Sequence, residues 1–556
     1  MRHITILKTS ALLLASTLLA GTVTVNAQEQ ESVILKAMKD EMKRTLAEAQ
    51  YEGHDKPFYI SYGITDLNVF TANATLGGLV RSDVFRDRNK SVRLLVGNYV
   101  FNDESLDNNL TSPPNANDLQ VPLDDDYFGI RRALWASTDV VYKGAAQKYK
   151  KHQSTLKEEN KKLADMPHRE FATVPVVTLL EQPKPYALDK EKWNHYCKEL
   201  SALFKAYPVI ENSAVAMSFT YGEEYFVNSE GTTIVKPLTI AFLQCGAIMK
   251  TEKGEPLFDN LVRYARTPEG LPSLADMKAQ VNAMAKKLTT SKDNPVLEED
   301  YNGPVLFQGT AVAEAFLSAL FAYRENLTAS NTLASTMDYR SESNGSLDSK
   351  IGKPVVDNTL TVTARTRLKT YNNIPLIGAY EVDDEGVVPQ DDLVLVEKGI
   401  LKNQLNDRSL TKTGQMANGH ASGPGVVEVS VEKGSAVQAM KQQLIASAKK
   451  EGLSFAIIVR KIAPGGDGIS EVYKVNLETG TETLLRSARL SSLGLKNLKR
   501  VAATGKEKQV ITLQTGGNNL VSYIVPDALL LDNMDIAPLR IPYQEEDKDY
   551  IPSPLN

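Results

Sequence analysis

The chain has 556 residues, 42% apolar and 24% charged, an ordinary balance for a folded globular protein that excludes a disordered, collagen-like or polytopic membrane chain. Lys and Arg number 63 against 68 Asp and Glu, a formal charge of −5, so the strong basic excess of a nucleic-acid binder is missing. Two cysteines exclude a disulfide scaffold and a cysteine-rich zinc module.

Residues 1–27 have the three-part layout of a secretory signal. Arg2 and Lys8 give a positive start, residues 11–20 are apolar, and Val25-Asn26-Ala27 offers small residues at the −3 and −1 positions. The layout predicts export to the periplasm and a mature protein beginning at Gln28. An uncleaved anchor is the competing reading, but residues 9–23 fall short of the ~20 needed to cross a bilayer. No cysteine near the site suggests a lipid anchor, and no membrane span is expected after cleavage.

Along the mature chain, Ile34, Leu35, Met38, Met42 and Leu46 predict an amphipathic helix over residues 32–51. Residues 58–66 and 91–101 read as strands. The Lys- and Glu-rich run at 143–165 reads as an exposed, projecting helix. Strands are expected over 173–180 and across 214–249. Between them, Trp193, Cys197, Leu200 and Phe204 mark a helix over 189–206. Another helix, 273–288, starts at a Ser cap. The polar stretch 290–299, with Pro295, is the expected boundary between domains at 28–295 and 296–556.

The second half opens on a short buried strand at 303–307 and a helix from Thr310 to about Leu327. Strands follow at 360–364, 392–401, 426–431, 455–459, 471–476 and 509–513. A single helix at 435–450 interrupts them, capped by Ser435, with Val437, Met440 and Leu444 inside and Gly452 after its end. The expected fold class is α+β, with a mixed α/β N-terminal domain and a strand-rich C-terminal domain.

Four segments carry a resemblance: DYNGPVLFQGTAVAEAFLSAL at 300–320, IGAYEVDDEGVVPQDDLVLVEKG at 377–399, YIVPDALLLD at 523–532 and FVNSEG at 226–231. Together they resemble the TldD/PmbA family, metallopeptidase-related proteins once named modulators of DNA gyrase. The resemblance implies a two-domain α+β architecture and homo- or heterodimers around an internal cleft. In active members it implies zinc held by the two histidines of an HExxxH motif, on the helix after the Gly-Pro-Val-Leu-Phe strand. A cysteine near the C-terminus completes the ligands, and the motif glutamate is the general base. Laid on this chain, the motif falls on residues 313–318: the histidine positions are Ala313 and Ser318, and only Glu314 remains. No cysteine follows Cys245.

Ala has no donor atom, and a Ser hydroxyl is a poor zinc ligand beside imidazole or thiolate. Glu314 reads either as a plain helix carboxylate or as a retained base. The mature histidines are His54, His152, His168, His195 and His420, with no helix-face metal spacing among them. His420 stands out in the turn-rich loop 418–425, as a structural or a functional residue. Cys197 and Cys245 are expected in the core, with a disulfide between them left open. Asp383, Asp384, Glu385, Asp391 and Asp392 lack EF-hand spacing, so a Ca²⁺ site is the lesser reading beside a turn that, by the resemblance, shapes the cleft. The glycine turns at 464–468 and 515–517 lack phosphate-loop spacing.

The preferred reading is an exported, non-catalytic subunit without zinc or other cofactor. It pairs with a TldD-like zinc peptidase around a cleft for peptide or unfolded polypeptide and takes no nucleic acid. The alternatives are an active peptidase with a replaced mechanism, using Glu314 and His420, and a stand-alone periplasmic binding or scaffold protein.

Overall fold

Helix α1 (Val33–Glu48) buries the stripe its spacing announces, Ile34, Leu35, Met38 and Met42. The Ser32 hydroxyl accepts the Leu35 N–H at 3.2 Å and caps it. The computed structural model describes residues 31–104, 120–158, 160, 162, 170–182, 185–252, 254–322, 326–329, 347–410, 415–462, 471–486, 488–490, 493–515 and 519–539. The signal segment 1–27 and the glycine turn 464–468 lie outside the described residues, as does most of the turn 515–517. Helix makes up 27% and strand 39%, an α+β fold of two domains.

Strands β1 (Pro57–Thr75) and β2 (Gly78–Val96) form one long antiparallel hairpin. Its loop, Leu76-Gly77, holds φ at +46° and +79°, the left-handed pair whose twist matches the flanking strands. The strand expected at 58–66 is only the first half of β1, and the one expected at 91–101 begins 13 residues late and overruns the end of β2 by five; the missed part of β2 is largely exposed and carries Arg81, Arg86, Arg88 and Lys90 at the sheet edge. Helix α2 (Tyr127–Glu158) corrects the projecting helix expected at 143–165. It starts earlier, packs on α1 and β2, and buries Ala146, Tyr149, His152 and Leu156 within the lysine-rich run. The density of charge concealed that apolar stripe.

Strand β3 (Thr178–Leu180), helix α3 (Lys190–Ala202), strands β4 (Asn212–Asn228), β5 (Thr233–Lys250) and β6 (Pro256–Ala265), and helix α4 (Leu274–Ser291) complete the N-terminal domain. The sheet order is β2-β1-β4-β5-β3, with β6 also pairing β5. Alternate residues of β1 share one face. Ile60, Tyr62 and Ile64 pack in the core formed with α1 and α2, and Phe70, Ala72 and Ala74 in the core formed with α3 and α4. Residues 292–300 run from α4 to the next strand without helix or sheet pairing.

Strand β7 (Tyr301–Gln308) is central to the C-terminal domain, followed by α5 (Thr310–Leu317) and a π-helical turn, Ser318–Ala322. The helix expected to reach Leu327 thus changes pitch at Ser318. Next come β8 (Leu360–Ala364), β9 (Thr370–Tyr371), β10 (Ile374–Pro375), β11 (Leu393–Glu397), β12 (Ile400–Leu401) and β13 (Val426–Val431). Helix α6 (Val437–Lys450) precedes β14 (Phe455–Lys461), β15 (Glu471–Asn476), β16 (Glu482–Leu484) and β17 (Arg489–Leu490). Last are β18 (Val501–Thr504), β19 (Lys508–Gln514), β20 (Leu520–Pro526) and β21 (Ala528–Ala537).

These strands make two large sheets, β12-β11-β8-β13-β20-β19 and β16-β15-β14-β7-β21-β17, with β18 also on β21. Val305 and Phe307 of β7 face α5 and the first sheet, while Leu306 faces α6. Burial on both faces explains the continuous apolar run Val305-Leu306-Phe307. Ser435 does not cap α6: the cap is Ala436 with no side-chain bond. Ser435 instead bonds through its backbone, to Thr504 O at 2.8 Å and from Lys506 N at 3.1 Å.

The domains meet around Arg408, which is wholly buried. Its guanidinium donates to both Glu230 oxygens and to Ala172 O, and lies over the rings of Phe171 and Tyr59.

Candidate functional site

Helix α5 begins at Gly309, whose φ of +59° disfavours any other residue. That turn sets α5 against the end of β14: Thr310 Oγ1 donates to Arg460 O at 3.3 Å. One turn on, Glu314 Oε2 accepts the Ile462 N–H at 2.5 Å. Burial pushes the Glu314 carboxyl up to about 7, against the lowering effect of that N–H and of Thr310. Glu314 and Ser318 line a cleft of about 1730 Å³, whereas Ala313 points into the core and is wholly buried.

The cleft lies between the domains. One wall is β6 with Gln280, Met284 and Lys287 of α4; the other is α5, the end of β14, the start of β15 and residues 510–514 of β19. Among the described residues both β6 and β19 are edge strands: β6 pairs only with β5, and β19 only with β20. Neither has a strand partner on its outer edge among the described residues, and on β6 two carbonyls are taken by side chains, Asn260 O by Lys461 Nζ and Val262 O by Arg263, both at 2.7 Å. Tyr264 of β6 donates to Gln514 Oε1 of β19 at 3.2 Å across the opening.

A chain of ion pairs crosses the cleft wall. Lys461 Nζ is 2.9 Å from Asp259 Oδ1 and also donates to Asn260 O and Oδ1, both at 2.7 Å. Lys287 Nζ is 2.6 Å from Asp259 Oδ2 and 2.7 Å from Glu471 Oε2. Burial tends to raise the Asp259 carboxyl, but the two lysines hold it below its usual value.

His420 does not line this cleft. It is buried, with Nε2 at 3.0 Å from Thr366 Oγ1 and Nδ1 at 2.9 Å from Asn418 Oδ1. Burial lowers it to about 4, so the ring is neutral at pH 7. Glu314 and His420 are therefore not brought together on the cleft wall. The acidic turn, expected to shape the cleft, is instead part of the domain junction: Asp383 accepts N–H groups of Glu385, Val387 and Ala421, and Glu385 pairs with Arg93 and accepts Arg408 N–H. These oxygens are already engaged, which leaves little for a Ca²⁺ ion. Cys197 and Cys245 are free and buried in the core between the sheet, α3 and α4. Burial raises both thiols to about 12.

The helix residues do not fit a zinc ion. Ala313 offers no donor, and the Ser318 hydroxyl donates to Leu493 O at 3.1 Å. Among the described residues, no group of three His, Cys, Asp or Glu side chains is arranged to hold a metal.

The sequence reading missed β6 and the residues it brings to the cleft. On its inward face Leu257, Leu261 and Ala265 alternate with Asp259 and Arg263, so charges interrupt the period-two apolar signal. Pro256 and the Phe258, Val262, Tyr264 series were the available cues.

A family model, the PmbA/TldA metallopeptidase C-terminal domain, matches residues 302–538. Among solved structures, a candidate modulator of a DNA gyrase from Thermotoga maritima MSB8 is similar with a TM-score of 0.55 and 13% identity, over 90% of this chain and 100% of that one. TldE from Thermococcus kodakarensis gives 0.52 and 13%, over 90% and 100%. A candidate modulator of DNA gyrase from Bacteroides thetaiotaomicron VPI-5482 gives 0.53 and 12%, over 91% and 98%. At such identities the likeness is one of fold, and function has to be argued from the site. No curated protein matches the sequence.

Proposed function

We propose that the chain is a protein of PmbA/TldD type, the zinc-less, non-catalytic subunit of an exported peptidase, holding an extended peptide between β6 and β19. The observation that carries this reading is α5. Where the resemblance puts two zinc-binding histidines, the helix has a buried alanine and a serine bonded to a carbonyl. Without those ligands the chain has no means there of lowering the pKa of a metal-bound water. What it retains is a cleft with two free strand edges, to which an extended peptide can add by main-chain hydrogen bonds. The zinc peptidase is then supplied by a partner of the same family. Export rests on the layout of residues 1–27.

The test is co-expression of the chain from Gln28 with a relative that carries HExxxH. The expected result is a stable complex with zinc only in the relative, and cleavage only by the pair. Metal-dependent cleavage by this chain alone, or failure of the two to associate, overturns the proposal. A second reading, an active hydrolase with a replaced mechanism, is favoured by the Glu314 carboxyl, which at about 7 is poised for proton transfer on the cleft wall.

A further inference from the structure

We propose that this cleft selects peptides bearing carboxylates, and that Arg263 and Arg266 are the residues that recognise them. The inference rests on the peptide-holding reading above and names the substrate class.

The cleft is lined by five cationic side chains and three carboxylates, in a chain whose overall charge is −5. Three of the cations are matched. Lys287 and Lys461 are paired with Asp259, Lys287 also with Glu471, and Arg460 with Glu482 at 2.6 Å. Arg263 and Arg266 have no carboxylate partner among the described residues. Arg263 donates to its neighbour's carbonyl, Val262 O, at 2.7 Å and to the neutral Gln280 Oε1. Arg266 donates only to Ala379 O, at 2.7 Å. A guanidinium has five N–H groups, so most of this donor capacity is unused.

Both side chains are half-buried and both line the cleft. Burial depresses both guanidinium pKa values, and no nearby carboxylate offsets it. Partial desolvation without a counter-charge is costly in the free protein and is relieved when an anion enters. The planar fork of each guanidinium suits a carboxylate, which it can grip through two parallel bonds. Their position on and just past β6 matters as well. A peptide added to the free edge of β6 runs alongside Arg263 and toward Arg266, so main-chain pairing and charge recognition act on the same ligand. The carboxylate has two sources, an Asp or Glu side chain or the peptide's C-terminus.

The test uses the chain from Gln28 and short fluorescent peptides of one sequence that differ only in two central residues: Glu, Gln or Lys. Each is made with a free and an amidated C-terminus, and binding is read by anisotropy. The Glu peptide is expected to bind about 10-fold or more tightly than the Gln peptide, with the gap narrowing in high salt. Arg263→Gln and Arg266→Gln should each remove most of that preference, and Arg263→Lys should restore part of it. If amidation weakens the Glu and Gln peptides alike, the terminal carboxylate is read; if amidation is silent and the Glu peptide still binds more tightly, the side chains are. Thermal unfolding checks each variant. Arg263→Gln removes no interdomain bond, so it remains informative if Arg266→Gln, which loses the bond to Ala379, is unstable. Equal affinity for Glu and Gln peptides, with amidation silent in both, overturns the selectivity and leaves the peptide-holding reading standing. Absence of binding by every peptide overturns both.

Discussion

Asp259 Oδ1, on the edge strand of the N-terminal domain, stands 2.9 Å from Lys461 Nζ at the end of β14 in the C-terminal domain. The same aspartate pairs with Lys287, which continues to Glu471. One wall of the cleft is thus closed by charge, while each domain is held internally by apolar cores. Tyr264 and Gln514 add a neutral bond between the edge strands. The relative position of β6 and β19, and so the width available to a peptide, depends on these polar contacts.

Asp259→Asn should therefore loosen the interdomain wall. The wild-type carboxyl is held below its unfolded value of about 3.9, so its stabilisation is present above that pH and is lost as pH falls through the lower folded value. The expected cost is about 1–3 kcal/mol at pH 7, the scale of charge-assisted hydrogen bonds. The cost should shrink as pH falls below about 3.9 and through the lower folded value, where the wild-type group also becomes neutral. Denaturant titrations of both proteins from pH 7 down into the acid range check this; a pH-independent difference contradicts it.

Arg408 joins the two domains through buried bonds to Glu230 and Ala172 O. Arg408→Met keeps much of the packing against Tyr59 and Phe171 but leaves Glu230 and Ala172 O without their partner. Removing one member of a buried pair costs about 3–5 kcal/mol. The expected signature is two unfolding steps that no longer coincide when followed by separate probes in each domain. A single transition with unchanged midpoint would show that the junction is held by something else.

Much of the fold is legible in the sequence where burial follows a simple period. The α1 stripe, the Ser273 cap, the apolar strand 305–307 and strand 426–431 sit where pattern places them. The failures share a cause: charge on a buried or half-buried face. Lysines mask the inner face of α2, and Asp259 and Arg263 mask β6. The helix that carries Glu314 could be located from sequence, because the glycine turn and apolar flanks are local features. The cleft's other wall could not, since it depends on how α4 and β6 meet a domain over 100 residues away in sequence.

His420 is expected to matter for stability and not for ligand binding. Burial lowers its pKa to about 4 against about 6.5 when unfolded. Its contribution is full above pH 6.5 and falls away as pH drops through 4, because the unfolded chain then gains a proton the fold resists. His420→Ala leaves Thr366 and Asn418 short of a partner, at a cost of about 1–3 kcal/mol. Peptide affinity of the folded variant should be unchanged. A folded His420→Ala protein with altered peptide affinity or altered cleavage in the complex would revive a functional role.

Glu314→Gln separates scaffold from chemistry at the motif helix. The folded carboxyl is raised to about 7 from an unfolded value near 4.5, so the fold favours the protonated acid. Between those values the unfolded chain binds fewer protons than the native one, and wild-type stability declines as pH rises from 4.5 to 7. The neutral amide avoids that loss and can still accept the Ile462 N–H. The variant should match wild type near pH 4 and exceed it by roughly 3 kcal/mol at pH 8. In the complex with a zinc-bearing relative, peptide cleavage should be nearly unchanged if α5 is only a wall of the cleft. A loss of about 10²-fold or more, the scale of a removed general base, would instead place Glu314 in the reaction and favour the hydrolase reading. The stability measurement stands apart from the activity one, so a stabilised variant with lost cleavage points to a base held protonated by its surroundings until substrate arrives.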